Sequence, residues 1–357
     1  MKDRQSNFEV LRIIAMFCIV LGHAMTHGTL LNARENISDF NFLIFRFLAY
    51  GGKTGVYLFV LITGYFMIYS NISLRKVIKI WLPIFFWSVT LTLIVGFTIN
   101  QLSFKDIVMS GLPILFNRYW FMSTYVFLYI LIPIINHAVL DLNTRQELLV
   151  TILGFFIILP SDYFYGNNIN SWFVSFCFTY TIGAIIRKRK LLKNRYFINI
   201  GVSILLIGLV TNAFSSFIIT YAYYSAPLLT NLSTVLQKET LFCLFVAIGL
   251  FIWVGSKNIP YIKIINTVAS VTFGVYLIHD NGKMEYFLWD NLFHMNLVNY
   301  PLIHSLLYVL ICASSVFLVC SIIELIRKAL FDKLENNISL YLENKIKTIF
   351  DKLLFKY

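Results

Sequence analysis

Apolar residues in this chain gather into long runs instead of alternating or marking one stripe of a helix. A run of about 17–25 predominantly apolar residues is the length at which a helix crosses the hydrocarbon core of a bilayer. Ten such spans are expected, at about 8–26, 54–70, 79–99, 119–140, 147–164, 171–187, 197–221, 239–255, 266–280 and 301–326. The ninth is short. Segments 40–50 and 107–117 are apolar but too short to cross, and read as interfacial. Beyond Arg327 the pattern changes. Phe331, Leu334, Ile338, Tyr341 and Leu342 recur at helical spacing among lysines and glutamates, as in an amphipathic helix lying on a membrane face. The expectation is an all-α, polytopic membrane protein with a transmembrane domain at 1–328 and a cytoplasmic amphipathic tail at 329–357. No internal repeat or low-complexity linker interrupts it.

Composition supports that class. Of 357 residues, 59% are hydrophobic and only 13% charged, whereas a soluble domain carries about 25% charged residues. Such a chain cannot cover a soluble surface, and disorder or a small disulfide scaffold is excluded. The net charge of +12 comes from basic residues lying between the apolar runs. With the N-terminus inside, 21 Lys and Arg fall on the inner side and seven on the outer. That asymmetry places both termini in the cytoplasm and argues against nucleic acid as the partner of the charge. Lys2 and Arg4 ahead of Ile13–Leu21 imitate a signal peptide. Arg12 interrupts the run, however, and Gly22-His23-Ala24-Met25 is a poor cleavage site, so a retained first helix is expected. Cys18, Cys177, Cys243, Cys312 and Cys320 all lie in apolar runs and read as packing residues.

Ionisable residues inside apolar spans cost about 2.5–3.5 kcal/mol at the helix centre, so each usually has a partner or a task. The first span carries Glu9, Arg12 and His23. Eleven residues separate Arg12 from His23, which puts them within about 20° of one face and ~16 Å apart along the axis. Arg12 then lies near the cytoplasmic leaflet and His23 near the outer one. The ninth span, Thr272 to His279, brings a second histidine to the same depth from far along the chain. A histidine suits proton removal from a hydroxyl nucleophile, and Asp280 or Glu285 is placed to orient such a base. His27, His137, His294 and His304 lie in or near connections and carry less weight. No phosphate-binding, dinucleotide-binding, nucleophile-elbow or zinc-protease motif occurs, and no metal site is expected.

These residues also carry a resemblance. Arg12-x10-His23, preceded by Phe8-Glu9-Val10-Leu11, resembles the opening motif of the integral-membrane acyltransferase family 3. Gly55-Val56-Tyr57-Leu58-Phe59 with Thr63-Gly64-Tyr65 is similar to its second-helix pattern. Ser73-Leu74-Arg75-Lys76…Lys79…Pro83 resembles the basic stretch before its third helix. Trp120-Phe121…Tyr125 and Thr272-Phe273-Gly274-x-Tyr276-Leu277-x-His279 resemble two further elements. The matches fall in the family's order across nearly the whole chain. Glu9 and Val10 stand where many members read Asp-Gly, Thr63 stands where serine is common, and the esterase-like domain fused to some members is absent.

The resemblance implies O-acylation, most simply O-acetylation, of a hydroxyl on a cell-surface or lipid-linked glycan at a cell membrane, the bacterial cytoplasmic membrane being expected. Cytoplasmic acyl-CoA (acetyl-CoA) is the implied donor substrate, with no bound cofactor. It implies that Arg12 places the donor, that Arg75, Lys76 and Lys79 meet the CoA phosphates, and that His23 is the general base or briefly carries the acyl group, with His279 beside it. Glu9, Tyr276, Trp120 and Tyr125 are the expected substrate-binding residues. Other glycan-assembly proteins are possible partners. The alternative is a transporter or exporter of a glycan or lipid-linked sugar, since some export proteins resemble the same family.

Overall fold

The computed structural model describes residues 6–30, 38–98, 102–165, 169–225, 241–295 and 300–354, with Asn100 and Val298. Among these the chain is helical throughout, with no strand. The expected start of the eighth span at 239, and Arg34 and Lys238 of the charge count, lie outside the described residues.

Among the described residues, six helices are long and apolar enough to cross a membrane: Ser6–Thr29, Phe40–Met67, Leu74–Thr98, Trp120–Asp141, Arg195–Thr220 and Leu302–Ile349. The helices are α1 (Ser6–Ala24, continued by a π-turn at Met25–Thr29), α2 (Asp39–Met67), α3 (Leu74–Thr98), α4 (Phe104–Gly111) and α5 (Trp120–Asp141). They continue with α6 (Thr144–Tyr165), α7 (Ile169–Lys188), α8 (Arg195–Ser225), α9 (Leu241–Gly255) and α10 (Lys263–Ala269). Last come α11 (Thr272–His279), α12 (Gly282–Tyr286) and α13 (Leu302–Leu354), with a second π-turn at Phe287–Leu292. The other four expected spans fall on α6, α7, α9 and the α10–α11 pair.

Three features differ from the pattern-based reading. The segment 40–50 is not a separate interfacial piece, because α2 runs unbroken for 29 residues from its Ser38 cap. The ninth span is broken into α10 and α11 at Ser270–Val271. The hydroxyls of Thr267, Ser270 and Thr272 turn back onto the carbonyls of Lys263, Thr267 and Ala269 at 3.0, 2.8 and 2.9 Å, offering the backbone an alternative to helix continuation. Lys328 donates to Ser270 O at 3.1 Å from α13, satisfying a terminal carbonyl. The expected tail boundary at 328/329 falls inside α13, which runs unbroken across it.

The centre of the bundle is α1. It packs on α2, α9, α10, α11 and α13, while α3 and α13 cover α11. Glycines set how closely these helices approach. A Cβ on Gly55 would lie 2.3 Å from Ala15 O of α1, and one on Gly64 would lie 2.2 Å from Tyr180 O of α7. Both belong to the motif-like stretch of α2. Small residues at such crossings let backbones meet where the solvent gives helices no hydrophobic reason to associate. Gly64→Ala is therefore expected to lower stability by about 1–3 kcal/mol through overpacking. Thermal unfolding in detergent reads this directly, and a variant melting like wild type would mean that α2 and α7 slide apart at no cost.

Candidate active site

His23, near the end of α1, and His279, at the end of α11, meet where the two helices cross. His23 Nδ1 lies 3.1 Å from His279 Nε2 and 3.3 Å from Asp280 Oδ1. His279 is wholly enclosed, and the His23 side chain is 14% exposed. The contacts assign the tautomers. His279 Nδ1 stands 2.6 Å from Val275 O, a carbonyl that can only accept, so Nδ1 carries the hydrogen and Nε2 is bare. Nε2 then accepts from His23 Nδ1, which leaves His23 Nε2 bare and without a partner among the described residues. In a pair of histidines the hydrogen bond at one nitrogen decides what the other can do. His23 is thus the member able to accept a proton or attack. His279, engaged at both nitrogens, orients it.

The loop after α11 is pinned from α5's N-terminal end. Tyr119, wholly buried, donates to Leu277 O at 3.0 Å and accepts from Asn281 Nδ2 at 3.1 Å. Neither residue stood out in the sequence. A strap closes the same end of the bundle: Asp106 of α4 meets Lys283 at 3.2 Å and Arg118 at 3.8 Å. Burial alone would raise the Asp106 carboxyl, but hydrogen bonds from Ser103 and Lys283 and the Lys283 charge hold it below its ordinary range.

Below the histidines lies a largely apolar cavity of about 310 Å³. Arg12 lines it at one end, Thr63 and Tyr125 partway, and Ile19, Phe121 and Tyr276 at the other. Ile19 sits one helical turn before His23, so the cavity stops just short of the imidazole. The polar groups along it are few. Tyr125 and Thr63 hydroxyls are 3.3 Å apart, and the Tyr276 hydroxyl is buried beside the Asp280 carboxyl. The Tyr276 ring stands 5.5 Å from Phe121 and 6.3 Å from His279. A second cavity of about 260 Å³ lies on the far side of Phe273, which lines both. Lys79, Ser270, Arg327 and Lys328 line it together with Glu324, Asp332 and Glu335.

Arg12, Tyr125, Tyr276, His23 and His279 are thus brought together. Glu9 does not line the cavity; it is 2.6 Å from Arg12 Nη1 and neutralises it. Trp120 also lies outside the cavity and packs on Trp172 at 4.8 Å. Of the basic cluster, Lys79 reaches the second cavity, Lys76 is exposed, and Arg75 has a buried, unpartnered Nε. Thr63 and His27 were not singled out by the sequence as site residues. His27 sits in the π-turn with Nδ1 2.5 Å from Glu285 Oε1 and its ring 5.2 Å from that of His23. Its only sequence signal was its four-residue spacing from His23. Among the described residues no cluster of three potential metal ligands occurs.

The long apolar helices are those of a multi-pass membrane protein. The family model described as an acyltransferase domain matches residues 5–325, and the chain belongs to that family, acyltransferase family 3. No curated protein and no solved structure gives a significant match.

Proposed function

We propose that this protein is an O-acyltransferase of the cell membrane, taking a small acyl group, acetyl in the simplest case, from cytoplasmic acyl-CoA to a hydroxyl of a surface or lipid-linked glycan. The observation that supports this reading is the cavity lined by Arg12 and Ile19 of α1, which ends one helical turn short of His23. In this reading ten helices cross the membrane, both termini are cytoplasmic, and Arg12 marks the donor side. The pantetheine arm of the donor occupies the apolar cavity, with Arg12, the Thr63–Tyr125 pair and the Tyr276 hydroxyl available to its amides. Lys79, which lines the second cavity, with Arg75 and Lys76 beside it in sequence, is proposed to meet the phosphates. His23 Nε2 then faces the thioester, and Asp280 stabilises the cation that forms on its ring.

The test is purified protein in detergent with radiolabelled acetyl-CoA, reading CoA release and label on a crude cell-envelope glycan extract. Both are expected. Arg12→Gln is expected to raise KM for acetyl-CoA about tenfold or more, the scale of one lost charge-assisted hydrogen bond. Absence of CoA release and of saturable binding, across several acyl chains, would sink the reading. Weight would then pass to export of a lipid-linked sugar, which the broken α10–α11 helix favours, because transporters place discontinuous helices at their binding sites.

A further inference from the structure

The His27–Glu285 pair has no part in the scheme above, yet it has the geometry of a working base. Glu285 Oε1 lies 2.5 Å from His27 Nδ1, so the carboxylate holds the hydrogen on Nδ1 and leaves Nε2 bare. This is the arrangement by which a carboxylate orients a catalytic imidazole. Nε2 of His27 has no partner among the described residues. The side chains are 38% and 25% exposed, in contrast to enclosed His279, and neither lines the donor cavity. It is also close to the chemistry, because the His27 and His23 rings meet edge to face at 5.2 Å. The π-turn Met25–Thr29 supplies the placement, and single π-turns within helices occur frequently at functional sites. Its Gly28 lets the turn lie against the Met295 side chain, where a Cβ would come to 2.6 Å.

Two imidazoles, each with a bare Nε2, therefore stand in ring contact: His23, one turn beyond the donor cavity, and the more exposed His27. We propose that they divide the reaction: His23 carries the acyl group, and His27, oriented by Glu285, is the base that deprotonates the acceptor hydroxyl. The proposal rests on the acyltransferase reading above. In the first half, the His23 Nε2 lone pair attacks the thioester carbonyl. A C–N bond forms, the C–S bond breaks, and the CoA thiolate takes a proton from water on the donor side. The acylated ring is a cation, with its Nδ1 hydrogen between His279 Nε2 and Asp280. In the second half, His27 Nε2 takes the acceptor's hydroxyl proton while the oxygen attacks the acyl carbon. A C–O bond forms, the C–N bond breaks, and its electron pair returns to His23. The proton on His27 then passes to water on the acceptor side.

The experiment uses the full chain in detergent and two assays. One follows exchange of radiolabelled CoA into unlabelled acetyl-CoA with no acceptor present, which reports the first half alone. The other follows transfer of labelled acetyl to the cell-envelope glycan extract. Wild type is expected to do both. His27→Gln is expected to keep exchange and lose transfer by about 10²–10⁴-fold, the usual contribution of a positioned base. Glu285→Gln is expected to show the same split with a smaller loss in kcat and little change in acceptor KM. His23→Gln loses both. Transfer by His27→Gln and Glu285→Gln within threefold of wild type would overturn the proposal. So would equal loss of exchange and transfer in both variants. Wild-type transfer without exchange would overturn the acyl-His23 division while leaving the acyltransferase reading intact. Wild-type protein doing neither would end the acyltransferase reading itself.

Discussion

His23→Gln is expected to cut acetyl transfer by about 10²–10⁴-fold, the range a positioned general base or nucleophile contributes. The substitution keeps a polar side chain of similar length in a site that is 14% exposed, so the bundle should assemble normally. What it removes is the bare imidazole nitrogen beyond Ile19 and Tyr276. Variants of His279 should follow a graded order. His279→Gln retains an oxygen able to accept from His23 Nδ1 at the place where Nε2 now stands, 3.1 Å away. His279→Leu retains none and leaves the His23 ring free to take the other tautomer. Activity is therefore expected to fall in the order wild type, His279→Gln, His279→Leu, with His23→Gln lowest. Steady-state rates with labelled acetyl-CoA decide it. His23→Gln within threefold of wild type would remove His23 from the chemistry.

The second large effect concerns stability. Arg327→Leu is expected to destabilise the protein by about 3–5 kcal/mol, because removing one partner strands a buried charge. Glu324 and Arg327 are 3% and 4% exposed. Glu324 Oε2 accepts from Trp87 Nε1 of α3 at 2.9 Å and from Arg327 Nε at 2.8 Å, and Oε1 accepts from Arg327 Nη2 at 2.8 Å. Arg327 Nη1 also reaches Glu335. The network clamps α13 to α3 behind Gly274, where a Cβ would come to 2.1 Å from the Glu324 side chain. Glu324→Gln combined with Arg327→Leu also removes the buried Glu324 charge, leaves only the more exposed Glu335 unpaired, and is expected to recover part of the loss. Detergent melting curves read by tryptophan fluorescence measure both variants. Equal midpoints for wild type and Arg327→Leu would show that the clamp carries no net stability.

Much of the site was legible one residue at a time. The eleven-residue spacing put Arg12 and His23 on one helix face, and the run from Thr272 to His279 brought a second histidine to a matching position. Periodicity and depth along a helix are local properties, so they survive in the sequence. Glu9 was legible as an ionisable residue in an apolar span. Its use as the counter-ion of Arg12, and not as a residue lining the cavity, depends on the i,i+3 geometry of a formed helix. His27 was passed over because it stands at a helix end, where an imidazole is commonplace. Its distinguishing partner, Glu285, is remote in sequence and arrives only when the segment after α11 folds back over the end of α1.

The sequence by itself determined the class: long apolar runs, few charges and a run of motif-like elements specify a helical membrane protein of this family, because hydrocarbon admits only backbones that satisfy their own hydrogen bonds. The motif glycines were present in it too, though their reason was not, since a glycine at a crossing has meaning only beside the helix it admits. Tertiary structure alone decided which histidine nitrogens are bare, that the cavity stops one turn below His23, that the ninth span breaks at Ser270, and that Glu285 meets His27. Each of these depends on the relative placement of groups tens to hundreds of residues apart, and the distances that set hydrogen-bond direction and burial exist only once the helices have packed.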